Sequence, residues 1–155
     1  MQSNKKILVS ACLLGQRVRY NGKIKTLENE LLTLWQQQGR LVSVCPEVIA
    51  GLSVPRPPAE INISTKQVIT SEGIDVTEPF QYGANQALLL CQKQSIRFAL
   101  LKESSPSCGS TTIYDGSFTE KKIAGEGLTT KLLRQHGIEV FGEHAIIELA
   151  ALIDK

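Results

Sequence analysis

The chain has 155 residues, a length that fits one domain and can bury a core without disulfide staples. With 17 Lys and Arg against 15 Asp and Glu, its net charge is +2, too near neutral for charge alone to argue a nucleic-acid partner. The apolar run near the start, Ile7 to Val9, is too short for a signal-peptide core, and nothing approaches the ~20 apolar residues of a membrane span, so the expectation is a cytoplasmic protein with no membrane partner.

Lys6 to Ala11 reads as a buried strand. Leu27 to Gln38 follows as an amphipathic helix with Leu27, Leu31, Leu34 and Trp35 on one face, capped by Thr26 and ended by Gly39. Arg40 to Val44 is a second short strand, completing the strand–helix–strand unit of a parallel sheet. Cys45 to Glu60 carries four prolines, so neither a regular helix nor a central strand is expected there. An irregular stretch of that length inside a domain points to a functional loop. Ile61 to Ser71 suits a hairpin. Asp75 or Thr77 can cap a long helix running to about Lys93. Ile96 to Leu101 reads as the third strand, and the polar loop from Glu103 to Ser117 follows it, with a turn at Tyr114–Ser117. Gly127 to His136 reads as a helix, Ile138 to Phe141 as a fourth strand, and Glu143 to Ile153 as a closing helix. The alternation predicts an α/β fold: a single Rossmann-like domain over 1–155, with a mostly parallel sheet of about four to five strands and helices on both faces.

The cysteines stand at 12, 45, 91 and 108. A reducing compartment disfavours structural disulfides, and the absence of any C-x-x-C pair removes support for zinc ribbons and thioredoxin-like sites. Cys12, Cys45 and Cys108 each follow a predicted strand, and ligands of open α/β sheets bind outside the carboxyl ends of the strands. The three thiols should therefore gather on one rim. Cys91, in ALLLC, should be buried in a helix as a small hydrophobe. Three gathered thiolates admit several uses. A zinc ion would need a fourth ligand or a water. A nucleophilic cysteine would need a base, and neither His136 nor His144 is placed as one. A [4Fe–4S] cluster on three thiolates would leave one iron open to a soft substrate atom.

Four blocks, SACLLGQRVRYNG (10–22), CPEVIAGLSVPRPPAE (45–60), KESSPSCG (102–109) and GEGLTTKLL (125–133), resemble the thiouracil desulfidase family, in its order and over nearly the whole chain. Asn21, Ala50 and Ser53 depart from its commoner Asp, Gly and Pro, and none of them is a proposed ligand. The resemblance implies a [4Fe–4S] cluster held by Cys12, Cys45 and Cys108. It also implies removal of sulfur from thiolated uracil to give uracil and sulfide, with Glu47 and Ser105 at the catalytic positions. The implied partner is a small thiolated pyrimidine, its sulfur bound at the open iron and its carbon attacked by water. Without the resemblance, a loop salt bridge to Arg56 would be the plainer reading of Glu47, and a turn residue that of Ser105. Arg17, Arg19, Lys23, Arg56 and Lys102 lie in or beside the three loops, where cations would favour thiolates. The N–H groups opening the helix at Gly125–Gly127 could face the cluster or an anion. The competing reading is a non-catalytic iron–sulfur or zinc binding module, or a zinc or thiol enzyme acting on nucleosides.

Overall fold

The structure, a computed structural model, describes residues 5–14 and 29–153. In chain order its elements begin with β1 (Ile7–Ser10), a 3-10 turn (Ala11–Leu14), α1 (Glu30–Gln37), β2 (Leu41–Val44), α2 (Pro46–Ile49), β3 (Ala59–Ile61) and β4 (Val68–Thr70). They continue with α3 (Thr77–Gln94), β5 (Phe98–Leu101), β6 (Thr112–Tyr114), β7 (Lys122–Ala124), α4 (Leu128–Gln135), β8 (Glu139–Gly142), a second 3-10 turn (Glu143–Ala145) and α5 (Ile146–Ile153).

The central sheet runs β2-β1-β5-β8, all neighbours parallel. Every residue of β1 and β5 is buried, which is why their sequences read as unbroken apolar runs rather than alternating ones. The pleat divides those side chains between two cores. Ile7, Val9 and Leu100 pack with Leu32 and Trp35 of α1 and with Leu149 and Ile153 of α5. Leu8, Ala99 and Leu101 pack with Ala87, Leu88 and Cys91 of α3 and with Leu133 of α4. Each large apolar side chain so buried contributes roughly 1.5–3 kcal/mol, and the two cores hold helices on both faces, as the sequence pattern requires. The ribbons β3–β4 and β6–β7 are antiparallel; with Phe80 of α3 they enclose a third, smaller core of Ile61, Val68 and Ile113.

Several local expectations are corrected. The first helix is capped by Asn29, whose backbone is extended and whose side-chain oxygen accepts the Leu31 N–H at 2.8 Å; the anticipated Thr26 cap and Leu27 lie outside the described residues. The helix buries Leu32 and Trp35, while Leu34 is exposed. The proline-rich segment does contain one helical turn, α2, because Pro46 takes the first helical position, where its missing N–H is no loss. That turn is pressed against α3: a Cβ at Gly83 would collide with the Pro46 carbonyl oxygen. Asp75 accepts the Thr77 N–H at 2.9 Å at the start of α3, while Thr77 uses its own hydroxyl to accept the Val68 N–H at 2.8 Å. The β6–β7 ribbon stands where the sequence shows turn and loop alone; its three-residue strands are too short and polar to announce themselves.

The chain leaves β1 toward β2 on one side and returns to β5 on the other, so the order reverses between β1 and β5. In such sheets that crevice, at the carboxyl ends, is the place for a ligand. Ser10, at the end of β1, accepts the Lys102 N–H at 2.9 Å and ties the two strand ends together.

Candidate active site

A cavity of about 360 Å³ opens at this crevice, and Cys12, Cys45, Cys108, Glu47 and Ser105 all line it. Each arrives by its own local rule. Cys12 sits in the 3-10 turn that continues β1. Cys45 is the residue before the Pro46 turn, held extended at φ −130 and ψ 105, as a residue preceding proline prefers. Cys108 lies in the loop after β5. Cys91 is elsewhere, buried in α3 within the core. None of the four is in a disulfide.

Burial pushes the Cys108 thiol up to about 12; the Ser107 hydroxyl lowers it and the neighbouring Cys45 raises it further. Burial also raises Cys45, with a backbone N–H from Val48 opposing, Glu47 raising and Arg56 lowering. Thiols held this way carry protons at neutral pH and are poor nucleophiles by themselves. A metal group would supply the positive charge that converts them to ligands. Among the described residues, no three His, Cys, Asp or Glu stand close enough to share a single metal ion. Cys12, Cys45 and Cys108 line the cavity from three places in the chain: the turn after β1, the end of β2 and the loop after β5. Three soft donors around an open cavity fit a group several atoms across.

Glu47 and Arg56 form the ion pair that the plainer reading of the sequence anticipated. Arg56 donates to Glu47 Oε1 from Nε at 3.1 Å and from its terminal nitrogen at 2.8 Å, and the side chains are only 7% and 15% exposed respectively. The other carboxylate oxygen, Oε2, accepts from Ser107 Oγ at 3.0 Å. Ser105 Oγ accepts the N–H groups of Ser107 and Cys108, both at 3.0 Å, and lies 2.9 Å from Ser107 Oγ. Its turn-forming role is therefore real, and it sits in the cavity as well.

Two features that build this loop come only with the folded structure. Glu103 closes the Cys108 loop: its Oε1 accepts N–H groups from Ser110 at 2.8 Å, Thr111 at 2.9 Å and Thr112 at 3.1 Å, and its Oε2 accepts the Ser110 hydroxyl at 2.6 Å. Burial pushes this carboxyl up, but the Ser110 hydroxyl and the three N–H groups together more than offset it and hold it at about 2. A carboxyl depressed in the folded state stabilises the fold above its unfolded value, and that contribution is lost as pH falls toward about 2. Glu103→Gln keeps one acceptor oxygen but puts an amide against the hydroxyls. It should cost about 1 kcal/mol, moderated by solvent at this half-buried site, or roughly 2–4 °C in Tm at pH 7. The gap between variant and parent should close as pH is lowered from about 4.5 toward 2, which melting at a series of pH values would show.

The second is the start of α4. The N–H groups of Leu128, Thr129 and Thr130 are taken by the carbonyls of Pro106 and Ser107, and Thr130 Oγ1 donates to the Cys108 carbonyl at 2.9 Å. The helix opening anticipated as an anion or cluster site is instead a clamp on the backbone that carries Cys108. A Cβ at Gly127 would stand 2.5 Å from the Ser107 carbonyl carbon, so this close approach requires glycine. Of the basic residues expected around the loops, Arg56 pairs with Glu47 and Lys102 reaches Glu143 at 3.2 Å. Arg17, Arg19 and Lys23 lie outside the described residues. His136 closes α4, its ring nitrogen 3.0 Å from the Leu132 carbonyl, and His144 lies in the turn before α5. Beyond the thiols, Tyr114, Phe118 and Lys122 of the β6–β7 hairpin complete the lining. Buried Glu60 holds that hairpin by accepting the N–H groups of Gly116 at 2.9 Å and Phe118 at 3.2 Å.

The chain belongs to the 2-thiouracil desulfurase family, whose model matches residues 7–145. Among solved structures it is similar to a [4Fe-4S]-dependent thiouracil desulfidase, TudS, at 54% identity and a TM-score of 0.92, over 95% of this chain and 96% of that one. It is also 39% identical to the uncharacterized protein YbbK of Bacillus subtilis (strain 168) across 151 residues, 92% of this chain and 99% of YbbK. No helix among the described residues is long and apolar enough to cross a membrane.

Proposed function

We propose that residues 1–155 form one desulfidase domain that removes sulfur from thiolated uracil, giving uracil and sulfide. The observation that carries this is the convergence of Cys12, Cys45 and Cys108, from three separate strand ends, on the same cavity as Glu47 and Ser105, in a chain 54% identical to a [4Fe-4S]-dependent thiouracil desulfidase. The three cysteines would hold a [4Fe–4S] cluster. Bound there, it supplies an iron lacking a protein thiolate, a Lewis acid for the soft thiocarbonyl sulfur.

The chain's own residues account for the rest. Replacement of the thiocarbonyl sulfur by a carbonyl oxygen consumes one water and releases one sulfide, with no electron gained or lost, so the protein must manage protons only. Glu47 is suited to this: it lines the cavity two positions from Cys45, and its carboxylate can take a proton from the attacking water and return it to the departing sulfur. Arg56 fixes its orientation. Ser105 has both lone pairs engaged by N–H groups, so it acts as a donor, offering its hydrogen to the substrate. The hairpin bearing Tyr114 and Phe118 adds aromatic surface suited to a planar heterocycle.

The test is to incubate protein purified without oxygen with thiouracil and to measure uracil and sulfide. Equal amounts of both, with no added reductant, are expected. Protein that carries the cluster yet leaves thiouracil, its nucleoside and its nucleotide untouched would instead support a non-catalytic iron–sulfur module.

A further inference from the structure

Ser105 and Glu47 come from loops far apart in sequence, and their side chains are joined through one atom, the hydroxyl oxygen of Ser107. A serine hydroxyl has one hydrogen and two lone pairs. On Ser105 the lone pairs receive the N–H groups of Ser107 and Cys108, each at 3.0 Å, which leaves only its hydrogen to give, and Ser107 Oγ is 2.9 Å away. Ser107 has two acceptors for its own hydrogen: Glu47 Oε2 at 3.0 Å and Cys108 Sγ at 3.5 Å. The carboxylate oxygen is nearer and charged, and so is the stronger acceptor. The bonds therefore run in one direction, from Ser105 to Ser107 to Glu47.

Ser107 cannot drift. It is 1% exposed, and its carbonyl accepts the N–H groups of Thr129 and Thr130 at 2.9 and 3.3 Å. Gly127 lies against the same carbonyl. A side chain buried only for packing does not need a hydroxyl here, and a buried hydroxyl costs free energy unless its bonds are met. We propose that Ser107 is a positioning residue of the desulfidase reaction: it aims Glu47 Oε2 from the side opposite Arg56 and holds the Ser105 hydrogen in place until substrate arrives. This rests on the roles proposed above for Glu47 and Ser105.

The test uses holoenzyme prepared without oxygen. Ser107→Ala should keep its full iron content and visible spectrum and hold KM within about twofold, while kcat falls roughly 10-fold, the loss of one well-placed hydrogen bond. Ser107→Thr, which restores the hydroxyl, should recover most of that rate. In a Glu47→Gln background, Ser107→Ala should cost little more, since residues acting through one another are not additive. Infrared difference spectra provide a readout apart from turnover. The carboxylate band of Glu47, identified by its disappearance in Glu47→Gln, should shift in Ser107→Ala and return in Ser107→Thr. A wild-type kcat in Ser107→Ala with an unmoved Glu47 band would overturn the proposal. So would an equal loss in both backgrounds, which is the pattern of a packing role. Wild-type turnover in Glu47→Gln itself would remove the reading beneath it, an outcome separate from the Ser107 results.

Discussion

Replacing any one of Cys12, Cys45 or Cys108 by Ala should abolish both bound iron and desulfidase turnover, while Cys91→Ala keeps both. The difference follows from position rather than from residue type. All four thiols are at least partly buried, but three come from separate strand ends and line the cavity, whereas Cys91 packs in α3 against the sheet. Burial alone pushes Cys91 up to about 11, leaving it an inert thiol. A cluster on three ligands has none to spare, so the loss of one should be complete rather than graded. Cys91→Ala removes one buried sulfur and should cost stability only, on the order of 1 kcal/mol, for a small cavity. Iron analysis and turnover on the four variants, all prepared without oxygen, check this. Equal damage from all four would contradict the three-ligand arrangement.

Glu47→Gln should load iron normally and lose at least roughly 10²-fold in kcat, the low end for removing a general acid–base group. Gln is the informative replacement because it preserves the shape of the side chain and keeps one acceptor oxygen for Arg56, while its amide NH2 takes the place of the oxygen that faces Ser107. Glu47→Ala would remove the carboxylate bonded to the Arg56 guanidinium, which is only 7% exposed; breaking a buried pair by removing one partner typically costs about 3–5 kcal/mol, and misfolding would then obscure catalysis. A Glu47→Gln enzyme with full iron and the parental rate would reduce Glu47 to the salt bridge that its contact with Arg56 also describes.

The parts of this molecule legible in the sequence are those fixed by local chemistry. ILVS and FALL read as buried strands because parallel strands covered on both faces are apolar throughout. The long α3 was legible from its spacing, and Cys91 could be separated from the other thiols because it lies within that helix. The first helix begins at Glu30 under an Asn29 cap, where by residue type Thr26 is an equally suitable cap in the sequence. The turn α2 is hidden in the sequence because four prolines argue against helix in general, whereas Pro46 stands at the one position that tolerates it. Glu103 and Ser107 gave no signal, being polar residues in a polar run. Their importance comes from partners supplied by folding: the N–H groups of Ser110 to Thr112 for the first, and Glu47, 60 positions away in the chain, for the second.

The most direct measurement is the iron and acid-labile sulfide content of the unaltered protein, made and purified without oxygen and then presented with thiouracil. The arrangement of Cys12, Cys45 and Cys108 predicts brown protein with about four irons and four sulfides per chain, the composition of one [4Fe–4S] cluster, and release of uracil and sulfide. A colourless protein carrying zinc or no metal, yet fully active on thiouracil, would contradict it.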